Sequence, residues 1–164
     1  MQRLLMALLV SAAIAGFVHP ASALDIPVQL DGLQAGSGSP GTASATLTLD
    51  SVAGLLRVQL TYSGLLAPTT NAHIHCCAAP GTNAGVIIPF APPFVTGTTS
   101  GSLDNTFVLT PIQVADIELG LSYINVHTTL FPGGEIRGQI VPEPATPALL
   151  ALGLAGLGWR RRRS

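Results

Sequence analysis

Between residues 24 and 141, apolar and polar side chains alternate in short runs broken by Gly, Pro and Ser, the pattern of half-buried β-strands. The clearest run is Leu55–Tyr62. Leu56, Val58, Leu60 and Tyr62 share one face there, and Arg57, Gln59 and Thr61 share the other. Ile26–Leu30 and Thr46–Asp50 alternate in the same way, with Gly32–Gly41 between them read as loop. Ala72–Cys76, Gly85–Phe90, Ser102–Leu109, Leu121–Thr128 and Glu135–Val141 are further strands, with turns at Pro80-Gly81 and Pro132-Gly133-Gly134. Pro89, Pro92 and Pro93 make the stretch after Gly85–Phe90 irregular. One segment breaks the period of two. Thr110-Pro111 followed by Ile112, Val114, Ala115 and Ile117 predicts an N-cap, a first-turn proline and a short helix that Gly120 closes. Short strands at this spacing predict an all-β fold, an antiparallel sandwich or barrel with one short helix.

The two ends follow different rules. Met1-Gln2-Arg3, the apolar Leu4–Val18 and the small-x-small triplet Ala21-Ser22-Ala23 make a secretory signal peptide over residues 1–23, cleaved after Ala23. An uncleaved N-terminal anchor is the alternative. At the other end, Pro142-Glu143-Pro144 leads into the apolar run Ala148–Leu157, then Trp159 and Arg160, Arg161, Arg162 and Arg163. Arginine resists leaving the cytoplasmic face, so this is a membrane-stop pattern. Ala145–Trp159 is only 15 residues, whereas about 20 are needed to cross the hydrocarbon core. A hydrophobic helix of that length suits a temporary anchor better than a permanent transmembrane helix.

The order of Pro-Glu-Pro, apolar stretch and arginine cluster over residues 142–164 resembles the PEP-CTERM sorting signal. The resemblance implies processing by an exosortase-type enzyme near Pro142–Pro144, with the arginines discarded. It implies an inner-membrane-anchored intermediate and then a place at the cell surface or in extracellular matrix. An unprocessed tail anchor is the simpler alternative.

Residues 24–141 are therefore the part that acts. At 118 residues they suffice for one domain with a real core. Asp25, Asp31, Asp50, Asp104, Asp116, Glu118 and Glu135 face only Arg57 and Arg137, a balance of seven against two, or −5, where the whole chain reads −1. An acidic, lysine-free domain does not bind nucleic acid by neutralising phosphate. Both cysteines, Cys76 and Cys77, are adjacent. Export favours disulfides, yet a vicinal bridge, an intermolecular bridge and two reduced thiols all remain open.

Ala72-His73-Ile74-His75, the segment Tyr123–Thr128 and the segment Pro132–Ile140 resemble the CHRD domain, first described in chordin and found in many exported bacterial proteins. The resemblance covers most of Ile26–Val141 and implies an immunoglobulin-like β-sandwich with no settled activity. Cys76-Cys77 stands where it leads one to expect a small residue, often glycine.

One group of side chains carries chemistry. His73 and His75, two apart on a strand, project from the same face; Tyr123, Asn125 and His127 share the face opposite Ile124 and Val126. If the two strands are neighbours, His73, His75 and His127 converge, with Glu135 or Asp104 as an oxygen ligand. Three imidazoles suit zinc or copper. His-x-His on a strand is similar to the copper ligands of Cu/Zn superoxide dismutase, a fold-level likeness that carries no activity. The alternative is structural: His127 holds the Pro132–Gly134 turn, and His73 or His75 bonds a neighbouring carbonyl. Arg137 is expected to pair with an acid on an adjacent strand, and Arg57 to be solvated. No G-x-S-x-G or H-E-x-x-H motif is present. An exported module acting by binding or structure, without catalysis or cofactor, is the first expectation, its partner an extracellular polysaccharide or surface protein. The second is a zinc or copper domain centred on His73, His75 and His127, with redox activity as a further option.

Overall fold

The computed structural model describes residues 23–143, so residues 1–22 of the expected signal peptide, Pro144, the expected C-terminal apolar helix and Arg160–Arg163 lie outside the described residues. In chain order the strands are β1 (Leu24–Asp31), β2 (Thr42–Asp50), β3 (Leu55–Ser63), β4 (Thr69–Cys76), β5 (Gly85–Pro89), β6 (Gly101–Val108), β7 (Tyr123–Thr128) and β8 (Ile136–Gln139). Two helices, α1 (Gly32–Ala35) and α2 (Pro111–Glu118), accompany them. The strands form one antiparallel sheet in the order β5-β4-β7-β8-β1-β2-β3-β6. Only the pair Asp31↔Arg137 joins β1 to β8, so the sheet folds there into two four-stranded halves, an all-β antiparallel sandwich.

The alternation seen in the sequence builds the core between those halves. Leu56, Val58, Leu60 and Tyr62 on β3 are buried while Arg57, Gln59 and Thr61 are exposed. Ile26, Val28 and Leu30 of β1 and Leu47 and Leu49 of β2 meet Ile74 of β4, Ile124 and Val126 of β7 and Ile136 of β8. The proline-rich stretch closes the gap between the two edges. Phe90 and Phe94 enter the core, Gly97 N donates to Thr69 O at 2.7 Å, and Leu65 N donates to Thr99 O at 3.2 Å.

Helix α2 begins where its sequence requires. Thr110 accepts from Gln113 N, Gln113 returns a bond to Thr110 N at 2.9 Å, and Pro111 occupies the first turn. Val114 and Ile117 turn inward, and Gly120 leaves the helix at φ +70°. The expected loop over Gly32–Gly41 differs by one helical turn, because Asp31 accepts from Gln34 N at 2.7 Å and caps it. Among the described residues no helix is long and apolar enough to cross a membrane.

Candidate metal centre

Strand pairing decides whether the three histidines meet. β4 and β7 are neighbours, with His75 opposite Tyr123, His73 opposite Asn125, and Asn71 opposite His127. Ile74, Ile124 and Val126 all point into the core, so His73, His75 and His127 lie together on the outer face of that half. The His73 ring centroid is 5.4 Å from that of His75 and 5.0 Å from that of His127. One nitrogen from each residue can be chosen so that all three lie within 4.8 Å of one another.

Two loops lean over this outer face, where His75 is buried and His73 and His127 are half-buried. The loop after β4 contributes Ala84, whose carbonyl oxygen accepts from His75 Nδ1 at 3.0 Å. The β7–β8 connection contributes Pro132, whose carbonyl oxygen accepts from His127 Nδ1 at 2.8 Å. A carbonyl cannot donate, so both rings carry a proton on Nδ1, and in the neutral ring the lone pair is then on Nε2. His75 Nε2, His127 Nε2 and His73 Nδ1 are buried and have no hydrogen-bond partner among the described residues. A buried polar atom without a partner is costly, and here three occur in one cluster. In His75 and His127 the structural and metal-binding readings therefore use different nitrogens of the same ring: Nδ1 orients it, and Nε2 has no partner among the described residues.

Electrostatics favours the neutral ring at His73 and His75. Burial, followed by the neighbouring His127 and His75, pushes His73 down from 6.5 to about 4. Burial also lowers His75, against a raising contribution from the Ala84 bond, with His127 and Arg137 adding to the depression. Neutral rings are the form that ligates metal.

Neither expected oxygen ligand joins the cluster. Asp104 lies on β6, in the other half of the sandwich, where it accepts from both Arg57 Nε at 2.9 Å and Arg57 Nη2 at 2.7 Å. Arg57, expected to be merely solvated, is thus in an exposed pair that holds the Asp104 carboxyl below its usual range. Glu135 is fully buried and tied elsewhere. It accepts from Ser39 Oγ at 2.6 Å, Leu66 N at 2.6 Å and Thr128 Oγ1 at 2.8 Å. Arg137 has no acidic partner among the described residues; its guanidinium lies over the Tyr123 ring, 3.4 Å from the centroid, and donates to Thr82 O. Asn125 also sits on this face, in a role that strand alternation does not reveal. It donates to Gly133 O at 3.0 Å and packs on Gly134 so closely that any Cβ there would collide with its amide.

Cys76 and Cys77 form a vicinal disulfide at the end of β4. Their sulfurs lie near an Asp116 carboxylate oxygen, but the S–S bond leaves no thiolate for a metal.

The model of the CHRD domain matches residues 26–140, which is more than half of the chain and includes all three histidines. The chain belongs to the CHRD domain family. A second match, to the PEP-CTERM protein-sorting motif, covers residues 141–163 immediately after the CHRD domain. That motif is a recognition signal for exosortase processing, and it marks this CHRD protein as exported. No curated protein and no solved structure matches the chain. The CHRD domain thus supplies the sandwich and the outer face on which the imidazoles meet.

Proposed function

We propose that this protein is an exported, non-catalytic CHRD module that binds one zinc or copper ion through His73, His75 and His127. Removal of residues 1–23 and processing at Pro142–Pro144 deliver it to the cell surface or extracellular matrix. The observation that carries the metal reading is a set of three buried imidazole nitrogens on one face, without hydrogen-bond partners among the described residues. Three protein nitrogens leave a fourth position for water or a partner's side chain, as in tetrahedral sites that stay open. Two of the rings are oriented by backbone carbonyls, the outer support such ligands need.

A binding role on sugars finds less support. Tyr62 and Tyr123 are the only tyrosines and both are buried, so the described surface offers neither ring for stacking on a polysaccharide.

Titrating the full chain, purified in detergent, with zinc and with copper tests the metal reading. Stoichiometric binding that disappears in the His73→Ala, His75→Ala, His127→Ala triple variant supports it. Binding no tighter than in that variant overturns it.

A further inference from the structure

Tyr123 stands between a metal-ligand candidate and a buried cation. Its ring is parallel to that of His75, with centroids 4.8 Å apart and planes within 1°, and the Arg137 guanidinium carbon lies 3.4 Å from its centroid. β7 runs between β4 and β8 in the sheet, so the tyrosine separates the imidazole from the guanidinium. Arg137 is only 4% exposed, and the one ion pair among the described residues, Arg57–Asp104, does not involve it. Its recorded hydrogen bond is Nη2 to Thr82 O at 3.0 Å. A buried guanidinium without a counter-ion is unfavourable by itself, and its field is poorly screened. Imidazole ligates as a neutral ring, so no ligand charge at the centre offsets that of a bound ion.

We propose that Arg137, acting across Tyr123, biases the His73–His75–His127 centre toward monovalent copper over divalent zinc or copper. This rests on the metal-binding reading above. Repulsion from a fixed cation grows in proportion to the charge of the bound ion. At a separation of roughly 10 Å and an effective dielectric near 20, each additional unit of ion charge weakens binding on the order of tenfold. Imidazole donors accept copper and zinc alike, so the selection falls to the neighbouring charge.

The test measures affinities for Cu(I) and Zn(II) by competition with chromophoric chelators, on the full chain purified in detergent. Cu(I) is supplied anaerobically as its acetonitrile complex, without thiol, so that Cys76–Cys77 stays bridged. Arg137→Gln is expected to lower the Cu(I) to Zn(II) affinity ratio about tenfold. The Cu(II)/Cu(I) midpoint is expected to fall by the equivalent, about 59 mV for a one-electron couple. Arg137→Lys, which keeps the charge, is expected to hold the ratio within about threefold of wild type. An unchanged ratio in Arg137→Gln, or an equal loss for both ions, would overturn the proposal, as would a tenfold change in Arg137→Lys, which decides the matter if the glutamine variant does not fold. Failure of the wild type to bind either ion would instead overturn the metal centre itself.

Discussion

His127 donates its Nδ1 proton to the Pro132 carbonyl oxygen at 2.8 Å, which leaves Nε2 as its free lone pair beside His73 and His75. One residue therefore holds the β7–β8 connection and offers a ligand. His127→Ala is expected to lose more metal affinity than the roughly 10–100-fold that follows loss of an outer partner. It is also expected to lower the stability of the metal-free chain by about 1 kcal/mol, through the lost bond to Pro132. Chelator competition and urea unfolding separate the two effects, and an unaltered affinity would remove His127 from the site.

Gly134 sits at φ +118°, and a Cβ there would run into the Asn125 amide. Gly134→Ala combines a backbone conformation that L-residues avoid with a steric collision, a loss of about 2–4 kcal/mol. The same shift displaces Pro132 and so loosens the orientation of His127. Metal affinity is expected to fall together with the unfolding midpoint; a variant as stable as wild type would show that this turn is not constrained as described.

Glu135 joins three segments far apart in sequence through Ser39, Leu66 and Thr128. Glu135→Ala leaves three donors without an acceptor in a fully buried place, which costs about 3–5 kcal/mol. Metal affinity per folded molecule is expected to change little, because Glu135 is not a ligand. A large, selective loss of metal binding at unchanged stability would place it in the site after all.

The metal-free chain is expected to lose stability as pH falls from about 6.5 toward about 4. His73 has its folded value lowered from 6.5 to about 4, and His75 shifts in the same direction, burial being the first cause in both. The unfolded chain therefore takes up these protons first. The contribution of the neutral rings is whole above about pH 6.5 and disappears as pH approaches about 4. Metal binding follows the same sign, since protons compete for the ligand nitrogens. Thermal unfolding between pH 7 and pH 4 checks this: the fall in Tm should be shallower in His73→Ala than in wild type, and parallel curves would contradict it.

Strand alternation is enough to put His73 and His75 on one side of their strand and His127 with Tyr123 and Asn125 on one side of theirs. It could not say that β4 and β7 are neighbours, because pairing between strands 50 residues apart leaves no mark on either strand's period. Arg137 was expected beside an acid, yet it stacks on Tyr123, a cross-strand preference that depends on register rather than on charge count. Glu135 looked like a ligand because it is acidic and close to His127 in sequence. Its true partners come from two other loops and β7, and composition carries no trace of them. Helix α2, by contrast, was readable at both ends, since Thr110, Pro111 and Gly120 act through local backbone geometry.

X-ray absorption at the zinc edge of the zinc-loaded full chain tests the centre most directly. Three nitrogen scatterers at about 2.0–2.1 Å, with the outer-shell pattern of imidazole rings, are expected for an ion held by His73, His75 and His127. A sulfur shell near 2.3 Å, or a first shell without imidazole scattering, would contradict it.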